Sequence, residues 1–211
     1  MRPALFRAAA FAVTFGSLVL GTAAPTPAFA QAANPASSFV NDNIHKGLDI
    51  LNNKSLSVEQ RRAQFEGFFL GLTDMKRIAA FTLGRYRNGM PQPDQDAFAG
   101  AFQNYAVAVY QSYFAKYAGQ TLTVVNSQER APGDFIITTQ MVSPADRSGQ
   151  PLEVDFRVRT DGPKPVVVDM SVAGIWLAIE ERDQFTSFLG QNNADIKLLI
   201  RHLNDLAKQY K

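Results

Sequence analysis

The sequence predicts an α+β domain with several helices packed against one face of a curved antiparallel sheet. Three observations carry that expectation. Apolar residues fall at helical spacing in the first part of the chain, alternate with polar ones after Gly119, and return to helical spacing at the end. The alternating segments are joined by short turns, Ala131-Pro132-Gly133 and Asp161-Gly162, which suit an antiparallel meander better than parallel pairing. Between Val166 and Leu189 one pattern passes into the other: Val166, Val168, Met170 and Val172 alternate with Val167, Asp169, Ser171 and Ala173. Gly174 then breaks the run, and Ile175, Ile179, Phe185, Phe188 and Leu189 follow at roughly helical spacing.

Each element has its own signal. Val40, Ile44, Leu48 and Leu51 make an amphipathic first helix over 37–52. Ser57-Val58-Glu59-Gln60 has the form of a capping box, opening a second helix through Phe65, Phe68, Phe69 and Leu72. Thr73-Asp74 caps a short third helix with Met75, Ile78, Ala79 and Leu83, which Gly84 ends; the tract 85–93, with Gly89, Pro91 and Pro93, reads as loop. From Asp94 a long helix carries Phe98, Phe102, Tyr105, Val109 and Tyr113 until Gly119, with Tyr110, Phe114 and Tyr117 beside that stripe. Strands follow over 121–126, 134–142 and 151–160. In the last of these Leu152, Val154, Phe156 and Val158 face apolar material while Glu153, Asp155, Arg157 and Arg159 face water. A closing helix over 193–208 carries Ile196, Leu199, Ile200, Leu203 and Leu206.

Residues 1–30 read as a secretory signal, with Arg2 and Arg7 before an apolar run over 8–20 and Ala28-Phe29-Ala30 as the cleavage site. The mature chain, 31–211, then forms one exported domain. Of 21 basic and 19 acidic residues, cleavage removes only Arg2 and Arg7, so the mature charge is balanced and gives no support to a nucleic-acid partner. There is no cysteine, which excludes disulfides, thiolate metal sites and cysteine nucleophiles.

A search for chemistry finds little. His45 and His202 lie far apart, outside any H-x-x-x-H setting, and suit surface or capping roles, with no metal site implied. Glu180 and Glu181, consecutive on a helix, diverge by about 100 degrees and read as a solvated face with Asp183. No phosphate loop, nucleophile elbow or dinucleotide fingerprint occurs, so no catalytic residue and no cofactor is assigned. The basic clusters Arg61-Arg62, Lys76-Arg77 and Arg85-Tyr86-Arg87 read as solvated surface or as a docking patch for an acidic partner or anionic headgroups.

Two segments resemble a known family, the periplasmic lipid-binding MlaC proteins, also called the toluene-tolerance auxiliary family. Asp74-Met75-Lys76-Arg77-Ile78-Ala79 with Leu83-Gly84-Arg85-Tyr86, followed by Phe98, Phe102, Tyr110 and Tyr117-Ala118-Gly119, resembles its D-x-x-x-I-A, L-G and long-helix pattern. Asp169-Met170-Ser171-Val172-Ala173-Gly174-Ile175, then Leu177, Arg182, Gln184 and Phe185, resembles its D-V-x-V-x-G-V-S-L-V and Y-R-x-Q-F run. Trp176 stands where that family usually has serine, and Glu181 where it usually has tyrosine. The Gly-Ile-Trp-Leu-Ala form resembles the HpnM subgroup associated with hopanoid biosynthesis.

The resemblance implies a soluble, non-enzymatic carrier of a phospholipid or hopanoid between inner and outer membranes. Its partners would be an inner-membrane MCE-type ABC transporter and an outer-membrane complex. It also implies an apolar cavity between sheet and helices, lined by Leu83, Tyr86, Tyr110, Phe114, Val154, Phe156, Val158, Val168, Met170, Val172, Ile175, Trp176 and Ile179. Two other classes stay open. A non-enzymatic adaptor of a membrane complex would have a filled core. A hydrolase or isomerase on a cone-shaped α+β scaffold would have polar groups converging inside, as Asp169 or Glu153 would if the strand faces were shifted by one residue.

Overall fold

In a computed structural model, residues 34–114, 117–145 and 149–210 are described; the signal segment 1–30 and its cleavage point lie outside them. Helix α1 (Pro35–Asn52) starts where Asn34 accepts the Ser37 amide at 2.8 Å, with proline at the first helical position. Helix α2 (Val58–Leu72) carries the full capping box: the Gln60 amide donates to Ser57 Oγ and the Ser57 amide to Gln60 Oε1. Asp74 caps α3 (Met75–Thr82) through the Arg77 amide. Gly84, instead of only ending that helix, opens a 3-10 turn over Gly84–Arg87 inside the tract expected as loop. Its φ of +51° and the Thr186 methyl 2.9 Å from where a Cβ would sit both require glycine. Helix α4 (Gln92–Phe114) is the long aromatic helix.

The sheet is a five-stranded antiparallel meander in the order β1-β2-β3-β4-β5, with β1 (Thr121–Ala131), β2 (Asp134–Val142), β3 (Leu152–Arg159), β4 (Val166–Val172) and the short β5 (Ile175–Trp176). It is not closed. Helices α5 (Leu177–Gln191) and α6 (Ile196–Gln209) complete the chain, with Asp195 capping α6 through the Leu198 amide. The first strand runs five residues beyond the expected end, and the two-residue β5 carries no pattern long enough to read.

Two interruptions of the ladder correct the expected strand faces. Phe156 lies opposite Met170 and Val154 opposite Val172, but Val158 lies opposite Val167, so Val168 is the extra residue of a bulge. Directly opposed residues share a face, and the uniform alternation of Val166, Val168, Met170 and Val172 is therefore broken: Val166 pairs with Arg159 on the other side. A second bulge at Val125 in β1 does the same to the edge strand. The supposed water-facing side of β3 is also not simply solvated. Asp155 is buried, and Arg157 and Arg159 both reach the buried Asp134 of β2, Arg157 at 2.7 and 3.0 Å and Arg159 at 3.3 Å. The Arg157 guanidinium holds the Asp134 carboxyl below the usual carboxylate range.

The apolar residues gather in two clusters. One lies among the helices and contains Leu83 of the α3 end, Phe98 and Phe102 of α4, Phe185 and Leu189 of α5, and Leu199 and Leu203 of α6. The other joins the start of α1 to the sheet through Ala36, Val40, Phe135, Ile137, Val158 and Val167. An isolated parallel bridge between Thr73 and Val167 ties the junction of α2 and α3 to β4.

Candidate functional site

Beside these clusters lies space that the protein's own side chains leave empty. A cavity of about 510 Å³ opens between α1, α2, α4, the start of α5 and the sheet. This is within the roughly 300–1,000 Å³ of small-molecule sites. The wall from α1 is Val40, Ile44, Leu48 and Leu51, the stripe that makes this helix amphipathic, with Asn43 and Gly47 beside it. From α2 come Phe65, Phe68, Phe69 and Leu72, and from α4 Phe102, Tyr105, Ala106, Val109, Tyr110 and Tyr113. The rings pack into a continuous aromatic surface: Phe65 lies 5.9 Å from Phe68 and 5.8 Å from Phe69, and Phe69 lies 4.6 Å from Tyr110 between centroids. The sheet contributes Leu122, Met141, Phe156, Val167, Val168 and Met170.

Of the thirteen residues expected to line such a space, Tyr110, Phe156, Val168 and Met170 do so. The helix of Phe114 ends at that residue, whose side chain lies outside the described residues. Eight lie elsewhere. Leu83 is buried in the helical cluster and Tyr86 packs against it, its hydroxyl oxygen near Gly190. Val158 is enclosed with Ala36 and Val40, while Val154, buried opposite Val172, stands one step along the strands from the cavity wall. Val172 and Trp176 are half-buried away from it, and Ile175 and Ile179 are exposed at 58% and 40%. The sharp β4–β5 turn at Ala173 and Gly174, with φ of +51° and +82°, carries Ile175 outward.

The carboxylates of the cavity collect where β4 meets α4 and α5, while Asn43, Thr73, Gln120 and Thr121 add polar groups on other walls. Asp169 Oδ1 accepts the Met170 amide at 2.8 Å and the Ala178 amide at 2.9 Å, so a strand side chain supplies the cap that Trp176 cannot give to α5. Burial nevertheless pushes the Asp169 carboxyl above its ordinary range. Tyr105 Oη donates to Glu181 Oε1 at 3.1 Å; Glu181 Oε2 is shielded from solvent and has no hydrogen-bond partner. Burial, joined by the charge of Glu180, raises the Glu181 carboxyl as well. The phenol of Tyr110 is held upward by burial and then by Asp169 and Glu181, that of Tyr105 by burial and then by Glu181. Both remain hydroxyl donors throughout the physiological range.

Glu181 is therefore no member of a solvated face, as consecutive carboxylates had suggested. Glu180 is exposed and accepts from Gln184 at the border of the cavity, while Glu181 turns in against Tyr105. Glu153 is exposed. His202 stacks on Phe188 at 5.1 Å, and neither histidine lines the cavity. Among the described residues no group of three His, Cys, Asp or Glu could hold a metal, and no helix is long and apolar enough to cross a membrane.

The family model for the MlaC protein matches residues 41–205, which takes in every wall of the cavity except its first residue, Val40, and its last, Tyr210. This chain belongs to the MlaC family. Its fold matches that of a phospholipid-binding protein from Ralstonia solanacearum, solved in complex with a phospholipid. The TM-score is 0.63 at 19% identity, over 82% of this chain and 94% of that one. No curated protein matches the sequence. The walls of this MlaC-family cavity that the sequence pattern does not mark as cavity include all of those from α1 and α2. Their signal was present in the stripe Val40, Ile44, Leu48 and Leu51, but such a stripe has the same spacing whether it meets a neighbour or a hollow.

Proposed function

We propose that this MlaC-family chain is a lipid carrier and not a catalyst. The observation that supports it best is the cavity, a half-open apolar space flanked by helices, with rings on its walls, that the described side chains leave unfilled. Each methylene kept from water is worth about 0.8 kcal/mol, so a lipid crossing an aqueous gap bare forfeits well over ten kcal/mol. A hollow protein removes that cost without chemistry. Asp169 has one oxygen held by two backbone amides and Glu181 is engaged by Tyr105, an arrangement that suits structure and recognition better than proton transfer.

In this reading the signal segment sends the chain to the periplasm. There it shuttles a phospholipid or hopanoid between the inner and outer membranes, loaded or unloaded by an MCE-type ABC transporter and an outer-membrane complex. The exposed Arg85 and Arg87, with Lys76 and Arg77 on α3, offer a basic surface for such docking. The adaptor reading needs a filled core and loses support from the cavity.

The test is native mass spectrometry of the mature chain purified without detergent, with solvent extraction of the same sample. A stoichiometric lipid adduct is expected, and its chemical class separates phospholipid from hopanoid. An apo mass that persists when both lipid classes are offered would sink the carrier reading.

A further inference from the structure

The cavity is lined mostly by apolar side chains; Asn43, Thr73, Gln120 and Thr121 add polar atoms on other walls, and the carboxylates stand where β4 meets α4 and α5. They are unevenly matched. Tyr105 gives its one proton to Glu181 Oε1, and the other oxygen of that carboxylate is buried without a partner. An ionised carboxylate offers about four acceptor sites. A buried acceptor left empty is destabilising, because it has lost its water and gained no partner. Asp169 adds a second carboxylate to the same wall, next to Tyr110, whose phenol feels both acids. None of the described lining residues is lysine, arginine or histidine.

A cargo group arriving here meets two carboxylates and the Tyr110 hydroxyl, so acceptors and negative charge prevail over donors. A hydroxyl or an ammonium group brings the proton that Glu181 lacks. A phosphate brings more acceptors and like charge, with no described cation beside it to offset either. We propose that Glu181 selects the cargo by the group that meets it, favouring a lipid that presents a hydrogen-bond donor there, hydroxylated or amine-bearing, over one that presents a phosphate or an ether. This inference rests on the carrier reading and adds to it the chemistry of the cargo group beside Glu181. Glu181 acts as the acceptor, and Tyr105 is a positioning residue that fixes the carboxylate by its hydrogen bond.

The experiment compares four probes of one chain length, dodecanol, dodecylamine, dodecyl methyl ether and dodecyl phosphate, by titration calorimetry with the mature chain. Dodecanol and dodecylamine are expected to bind about tenfold tighter than the ether, the worth of one hydrogen bond to a charged group, and the phosphate no tighter than the ether. Glu181→Leu should bring dodecanol down to the affinity of the ether while leaving the ether within about twofold, and removing a half-buried charge favours a folded variant. Glu181→Gln keeps one acceptor and should retain part of the difference. Equal binding of dodecanol and ether by the unaltered chain would overturn the inference alone, as would a difference that survives Glu181→Leu. Binding of none of the four would overturn the carrier reading beneath it.

Discussion

Around Phe98 the side chains of α3, α4, α5 and α6 close on one another; around Phe68 those of α1 and α2 stop short. In the first region Leu189, Leu199 and Leu203 are fully buried, and Phe185 meets both Phe98 and Phe102 edge-on at 6.0 and 6.2 Å. In the second, Ile44, Leu48, Leu51, Phe65 and Phe68 remain half-exposed and face the cavity. Both regions are made of leucines and phenylalanines at helical spacing. What separates them is whether another element arrives to fill the space, and α6 does so on one side only. An apolar face on a helix thus says that something will cover it and leaves open whether that is protein.

The contrast can be broken by mutation. The largest effect is expected from Leu199→Ala in the filled region, about 3 kcal/mol of lost stability in urea unfolding with little change in lipid affinity. The matching Leu48→Ala in the hollow region should cost under about 1.5 kcal/mol and, in the carrier reading, lower lipid affinity several-fold, because there its neighbour is cargo. Equal stability losses at the two leucines would erase the distinction.

Gly47→Leu sharpens it from the other side. A Cβ there meets only the Phe68 ring at 3.4 Å, and leucine adds helix propensity. The empty protein should gain about 1 kcal/mol while lipid binding falls, seen as a higher melting temperature that no longer rises when lipid is added.

The smallest effect concerns charge. Because burial raises the folded-state value of Glu181, the native protein holds that proton more tightly than the unfolded chain does. Its contribution to stability is therefore least unfavourable at acid pH and worsens as pH rises through the carboxylate range. Glu181→Gln should stabilise the chain by less than about 1 kcal/mol at pH 8 and by nothing measurable at pH 4 in paired thermal melts. A gain that grew toward acid pH would contradict the burial argument.

Much of the architecture was legible because it is local. The capping box at Ser57 and Gln60, the Asp74 cap, the bounds of β2 and the meander all depend on residues within a few positions of one another. The site was less legible because it depends on two non-local facts. One extra residue at Val168 moves Val167 to the α1-facing side, and nothing in a run of valines marks where a bulge falls. Glu181 reads as surface beside Glu180 until the tyrosines of a helix some seventy residues earlier are known to lie against it. Leu83 and Tyr86 belong to motifs that carry the resemblance, yet they serve the filled cluster and not the hollow.

The hold on α1 is uneven along its length. At one end the Asn34 amide donates to Ser127 Oγ at 2.5 Å and Ala36 and Val40 are sunk in the sheet cluster; at the other the helix is held by the Leu51 carbonyl accepting from Arg61 and by Asn52 meeting the Tyr117 hydroxyl, both near solvent. A rod held more firmly at one end bends more at the other, so α1 resembles a cantilever with Leu48 and Leu51 near its tip, above the cavity. In the carrier reading a thicker cargo lifts that tip further, and a probe placed at the far end of the helix would read occupancy.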